Sequence, residues 1–253
     1  MTDPTRRFSG RVENYVRYRP GYPRAIIALL QEQCGLTPEA VIADVGSGTG
    51  ILSELFLKHG NRVYGVEPNG PMRAAAEGLL KNYPGFVSVP ARAEATTLED
   101  GSVDLIVVGQ AFHWFDIPRA RVEFARILKP GGWVVLVWNT RRTTSTPFMA
   151  AYERLVNTYA PEYREVTHRR IDEATIGAFY APGTYRKATF DNRQSFDFEG
   201  LKGRLLSSSY TPQEGHPAYG PMLDELRAIF DEYQQHGRIE FEYDTEVYYG
   251  RLA

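Results

Sequence analysis

The stretch VIADVGSGTG, residues 41–50, constrains this chain more than any other. A short apolar run, Val41 to Val45, meets three closely spaced glycines, and the amphipathic segment Ile51 to His59 follows at once. That order is the signature of a buried strand, a tight turn and a helix start. Glycines in such a turn reach backbone angles closed to other residues and let a ligand approach the main chain closely. The helix start offers N–H groups that no helical carbonyl satisfies. A nucleotide-like ligand at the carboxyl end of a first parallel strand is therefore expected, with loop amides gripping it.

The rest of the chain repeats the alternation. A helix opens near Pro23. RVYGVEP (62–68) reads as a second strand, residues 70–81 as a helix, FVSVP (86–90) as a third strand and VDLIVVGQ (103–110) as a fourth. The helix spanning about 118–128 should stop at KPGG, where Pro130 cannot continue it, and WVVLVW (133–138) supplies a fifth strand. Alternating strands and helices imply an α/β doubly wound, seven-stranded, mostly parallel sheet, with strands one, two and four ending on one edge. After Thr140 the texture shifts to helices with loops, and the alternating segments 189–198 and 238–250 supply late strands with an edge or antiparallel role. The expected organisation is a lid and first helix over 1–36, a ligand-binding core over 37–140, and a helical cap with the last strands over 141–253.

Composition narrows the function. Hydrophobic residues make up 43% of the 253, charged residues 24%, and the net charge is -2. These are ordinary globular values without the footprint expected for nucleic acid or an anionic membrane. A single cysteine, Cys34, excludes an intrachain disulfide framework and a cysteine-rich metal site. No apolar run reaches the roughly 20 residues that span a bilayer, and MTDPTRRFSG lacks the apolar core of a signal peptide. A cytoplasmic enzyme is expected. No His/Asp/Glu set has metal-ligand spacing, and oligomeric state is not legible.

The glycine loop reads Gly46, Gly48, Gly50, a G-x-G-x-G pattern whose third glycine comes one residue earlier than in the dinucleotide fingerprint. Asp44 stands just before it. Glu67 ends the second strand, where a carboxylate can accept hydrogen bonds from ribose hydroxyls. With these residues the chain resembles the class I S-adenosylmethionine-dependent methyltransferases. The resemblance implies that Gly46, Ser47, Gly48 and Gly50 cradle the methionine part of S-adenosyl-L-methionine. It places Asp44 near the amino group, Glu67 and Pro68 at the ribose, and Met72, Ala93, Glu94 and Gln110 around the remaining cofactor. NYVRYRPGYP, QAFHWFD, GRLLSSSY and YDTEVYYGRL further resemble the trans-aconitate methyltransferase-like small-molecule group.

GQAFHWFD (109–116) follows strand four, which puts Gln110, His113, Trp114 and Phe115 beside the methyl group. The aromatic rings can shield the site and face a sulfonium, or simply pack the loop. His113 can take a proton from a hydroxyl or amine, line the pocket, or serve the structure alone. Tyr15, Tyr18 and Arg19 belong to an aromatic arm expected to close over the cofactor as a lid. Arg141 and Arg142 follow strand five; each is either a carboxylate clamp or a solvated loop charge, and the same pair of readings applies to Arg204. The leading expectation is methyl transfer to a small molecule, with carboxylate O-methylation one form of it. The alternatives are an NAD(P)-dependent oxidoreductase, for which no Tyr-x-x-x-Lys pair is present, and a non-catalytic cofactor-binding protein.

Overall fold

A computed structural model describes residues 16–160, 163, 171–208 and 210–252. After helix α1 (Ala25–Cys34) the chain alternates through β1 (Val41–Val45), α2 (Ile51–His59), β2 (Arg62–Val66), α3 (Gly70–Leu79) and β3 (Phe86–Val89). It continues through β4 (Val103–Gly109), a single 3₁₀ turn (Phe112–Trp114), α4 (Ile117–Ile127) and β5 (Leu128–Arg141). The last part comprises α5 (Pro147–Tyr159), α6 (Glu173–Tyr180), β6 (Tyr185–Phe196), α7 (Phe198–Leu206), α8 (Tyr219–Tyr233) and β7 (Ile239–Gly250).

Among the described residues the strands form one seven-stranded sheet in the order β3-β2-β1-β4-β5-β7-β6. β1 to β5 pair in parallel; β7 runs antiparallel to β5 and to β6. The central strands are apolar on both faces because both faces are covered. Ile106, Val108, Val134 and Leu136 pack with Phe124 of α4 and Phe179 of α6. Their sequence neighbours Leu105, Val107, Val135 and Val137 pack on the opposite side with Ile26, Leu30 and Phe56 of α1 and α2. The order reverses at β1, which has β2 on one side and β4 on the other. A crevice opens at such a reversal, and ligands of open α/β sheets bind there.

β5 is longer than the WVVLVW segment implies. Val103 pairs with Leu128 but Leu105 pairs with Trp133, so Lys129 to Gly132 bulge out between two paired ends of one strand. α4 ends at Ile127, ahead of KPGG, and KPGG itself is absorbed inside β5 as a bulge, with Gly131 at φ 81°. β2 stops at Val66, which leaves Glu67 and Pro68 in the connection beyond it.

A second buried cluster lies beyond the nucleotide-binding half. Met149, Tyr152 and Leu155 of α5, Leu201 and Leu205 of α7, and Leu226 of α8 converge on Phe241 and Tyr243 of β7. The β6–β7 pair thus completes the sheet at one end and carries a helical layer at the other. No helix among the described residues is long and apolar enough to cross a membrane.

Candidate functional site

Two adjoining clefts occupy the carboxyl edge of the sheet. The first, about 870 Å³, is walled by Glu67, Pro68, Met72, Ala93, Trp114 and Phe115. The second, about 540 Å³, is walled by Arg19, Tyr22, Asp44, Thr49, Arg204 and Tyr243. They meet along Gly46, Gly48, Gly109 and Gln110, which line both.

The glycine loop sits at that junction, and its geometry is enforced by crowding. Gly46 has φ 72°, and a Cβ there would lie 2.5 Å from the Ala111 Cβ and 3.2 Å from the Phe115 ring. Gly50 caps α2 at φ 83°; a Cβ would lie 2.6 Å from the Leu80 side chain. Gly50 lines neither cleft, so its contribution is the turn itself and its packing against α3.

Four of the loop amides expected to grip a ligand, those of Gly46, Ser47, Gly48 and Gly50, are bonded within the protein. Gly46 N–H and Ser47 N–H both donate to the Val66 carbonyl, at 2.8 and 3.1 Å. Gly48 N–H donates to Glu67 Oε2 at 3.0 Å, and Gly50 N–H to the Ser47 carbonyl at 2.9 Å. What the loop leaves over is acceptors. Asp44 is fully buried; its Oδ2 accepts from the Ser53 hydroxyl at 2.6 Å, while Oδ1 has no hydrogen-bond partner. Thr49 Oγ1 is likewise buried without a partner. Burial raises the Asp44 carboxyl from 3.8 to about 7, against the opposing effect of the Ser53 hydrogen bonds. Two unsatisfied oxygens at the wall of a cleft form a site for a cationic donor group, such as an ammonium.

Glu67 joins the loop to the next helix. Besides Gly48, its Oε1 accepts from Asn69 N–H at 2.8 Å. Asn69 in turn caps α3, its Oδ1 accepting from Met72 N–H at 3.0 Å, with Pro71 in the first turn. Burial pushes the Glu67 carboxyl above the usual range, and the two backbone N–H groups partly offset this. Each oxygen keeps a second lone pair, so the group can brace the loop and still accept from a ligand hydroxyl.

The loop after β4 divides its side chains. A 3₁₀ turn spaces successive residues by a third of a turn. Phe112 is fully buried, edge-on to Phe179 at 4.8 Å. Trp114 and Phe115 line the first cleft, with Gln110 at the junction. His113 is not among the residues lining either cleft; its ring lies 4.7 Å from Trp114. Glu94 lines the first cleft and also accepts from Asp116 N–H at 2.8 Å, tying that cleft to the start of α4.

The arm preceding α1 bridges the cap and the sheet. Tyr18 packs so tightly on α7 that a Cβ at Gly203 would lie 2.0 Å from its ring. Arg19 Nη2 donates to the Ser207 carbonyl at 2.9 Å. Asn139 and Asn192 each donate to the Gly21 carbonyl, at 3.1 and 2.9 Å. Tyr22 reaches over Gly109. Tyr15 lies outside the described residues. Arg141 lines neither cleft: its side chain is 9% exposed, bonded to Glu153 and to the Tyr163 hydroxyl, and stacked over Tyr152 at 5.1 Å. Arg142 is held by Asp191 and Asp244 on the outer strands.

Thr49, Asn69, Asn139 and Tyr243 lie at or behind the cleft walls although sequence reasoning did not single them out. Thr49 stands inside the glycine loop, and Asn69 carries the pattern of a helix cap before proline. Asn139 and Tyr243 had no local signal, because they meet the site only through the β5–β7 pairing.

Residues 43–136 match a family model described as a methyltransferase domain. A methyltransferase-like protein of Schizosaccharomyces pombe is 27% identical over 245 residues, covering 95% of this chain and 93% of the relative. An uncharacterized methyltransferase of Mycobacterium tuberculosis is 40% identical over 136 residues, which span 53% of this chain and about half, 52%, of that relative. Among solved structures, one from Anaeromyxobacter dehalogenans, provisionally named a type II methyltransferase, superposes with a TM-score of 0.67 at 23% identity, over 93% of this chain and 98% of its own.

Proposed function

Because this chain belongs to the class I S-adenosylmethionine-dependent methyltransferases, we propose that it transfers the cofactor's methyl group to a small molecule, with a carboxylate oxygen one candidate acceptor. The observation that carries this reading is the pair of unpartnered acceptors, Asp44 Oδ1 and Thr49 Oγ1, in a cleft that adjoins Glu67 across the glycine loop. A cofactor with an ammonium at one end and ribose hydroxyls near its middle fits that donor-and-acceptor pattern. When bound, S-adenosylmethionine supplies an activated methyl: the acceptor's lone pair bonds to that carbon, the carbon–sulfur pair returns to sulfur, and any acceptor proton passes to solvent.

In this reading Asp44 and Thr49 hold the amino group, and Glu67 receives the ribose hydroxyls. Met72, Ala93, Glu94, Trp114 and Phe115 enclose the adenine side, and Gln110 stands between the two clefts. The chain contributes chiefly alignment and exclusion of water. Tyr18, Arg19 and Tyr22 act as a strap over the second cleft, bonded to both cap and sheet. A carboxylate acceptor is ionised at neutral pH and needs no general base. His113 then serves by supporting Trp114. The similarity of GRLLSSSY and YDTEVYYGRL to the trans-aconitate methyltransferase-like group supports a small acceptor.

The test is calorimetric titration with S-adenosylhomocysteine beside NAD and NADP, followed by transfer of labelled methyl to panels of organic acids, phenols and amines. Tight binding of the homocysteine product alone, with turnover on a small acceptor, is expected. Preferential binding of NAD or NADP would overturn the reading.

A further inference from the structure

Beyond the residues assigned to the cofactor, the second cleft is walled by a guanidinium that has no anionic partner among the described residues. Arg204 of α7 is only 6% exposed. Its Nε donates to the Tyr243 hydroxyl at 2.8 Å and its Nη1 to the Ser208 hydroxyl at 3.2 Å. Among the described residues no carboxylate lies within ion-pair distance of it, and three of its five N–H donors have no protein acceptor. A buried cation without a counter-charge is costly to fold around.

A second guanidinium stands behind it. Arg141 packs over Tyr152, Tyr152 packs edge-on to Phe241 at 4.9 Å, and Arg204 lies over Phe241 at 5.3 Å. Glu153 is the carboxylate bonded to Arg141, whose Nη1 is buried with no partner. This one cluster therefore holds two largely shielded guanidiniums against one bonded carboxylate, the partly exposed Glu153. Tyr243, which lines the cleft, is itself fixed: its hydroxyl donates to Gln194 Oε1 at 2.9 Å while accepting from Arg204. The arrangement is rigid, positively charged and short of one anion.

Resting on the methyltransferase reading, we propose that the second cleft recognises its acceptor by an oxyanion on that molecule, a carboxylate or a phosphate, gripped by Arg204 within the field of Arg141. The oxyanion is a handle. It sets which molecules enter and how they are held, whichever atom takes the methyl group. A planar guanidinium with free donors matches both anions in a two-pronged contact. The competing source of the same chemistry is the cofactor's own carboxylate, and the experiment separates the two.

Protein saturated with S-adenosylhomocysteine is melted with succinate, citrate or phenyl phosphate, and with succinamide as the neutral match. The same series is run on Arg204→Gln and on Arg204→Lys, which keeps the charge but loses the fork. The anions are expected to raise the melting temperature of the wild type and succinamide to leave it unchanged. Both variants should lose at least tenfold in anion affinity, while S-adenosylhomocysteine affinity changes less than threefold. For the best acceptor from the methyl-transfer panel, Arg204→Lys should raise KM about tenfold with kcat nearly constant. Equal stabilisation by succinamide, or anion affinity that survives in Arg204→Lys, would overturn the proposal. So would a tenfold loss of S-adenosylhomocysteine affinity, which would hand Arg204 to the cofactor. A wild type that binds no S-adenosylhomocysteine would instead remove the methyltransferase reading beneath it.

Discussion

Replacing Asp44 with asparagine tests the core of the site, because the structure sets opposite signs for two measurable effects. Asp44 is wholly buried with one oxygen unpartnered, and burial lifts its carboxyl from 3.8 to about 7. Between those values the folded protein keeps a proton that the unfolded chain has lost. Stability of the ligand-free wild type therefore falls as pH rises from about 4 to about 7, and this group's contribution levels off above that. The separation corresponds to about 4 kcal/mol, at roughly 1.4 kcal/mol per pH step. The amide introduced by Asp44→Asn is neutral throughout, still accepts from Ser53 and has no such slope. At pH 8 the ligand-free variant should be the more stable protein, by about 2–4 kcal/mol. Ligand binding should move the other way. Losing a charge-assisted hydrogen bond to an ammonium costs about 1.5–3 kcal/mol, a factor of roughly ten to a hundred or more in S-adenosylhomocysteine affinity. Wild-type affinity should rise from pH 6 to pH 8 as Asp44 ionises, and the variant's should stay flat. Urea unfolding across pH gives the first quantity and titration calorimetry the second. A variant that binds the product as tightly as the wild type at pH 8 would falsify the placement of the ammonium at Asp44.

Three further outcomes are expected. Glu67→Ala removes a ligand acceptor and the brace on Gly48 together, so S-adenosylhomocysteine affinity should fall by about 1–3 kcal/mol, measured by calorimetry. Gly203→Ala places a methyl group 2.0 Å from the Tyr18 ring and should dislodge the strap. Limited proteolysis before α1 should quicken, and turnover should drop more than global stability does; an unchanged cleavage pattern would show that the strap does not depend on this contact. Glu123 is held near 2 by Arg126 above all, with Thr96 assisting against burial, so its stabilisation is present above its ordinary value of 4.5 and fades as pH falls toward 2. Glu123→Gln should cost about 2 kcal/mol at pH 7, allowing for the partial exposure of Arg126, and the gap from wild type should close on acidification. A constant gap across pH 2 to 7 would contradict that pairing.

The sheet was legible because its cause is local. Val41 to Val45 is a continuous apolar run, and the alternation of such runs with amphipathic segments can be read one window at a time. The glycine loop and Glu67 were legible for the same reason, each marked by residue types that a turn or a strand end demands. What escaped was how groups share their bonding capacity. VGSGTG does not reveal that the amides of Gly46, Ser47, Gly48 and Gly50 turn inward to Val66, Ser47 and Glu67, leaving Asp44 and Thr49 as unmatched acceptors. That outcome needs β1 and β2 side by side. Likewise, FHWF carries no mark to say that His113 stands apart from Trp114 and Phe115 at the cleft; the 3₁₀ turn and the burial of Phe112 decide it. Arg141 and Arg204 looked like two unrelated loop or helix charges, separated by 63 positions in the chain. Only the fold joins them, through Tyr152 and Phe241, into a single buried cluster. Strand and helix identity follows from short-range periodicity, which a linear string contains. Which donors are satisfied and which charges are left uncompensated depends on contacts between distant segments, and these exist only once the chain has closed on itself.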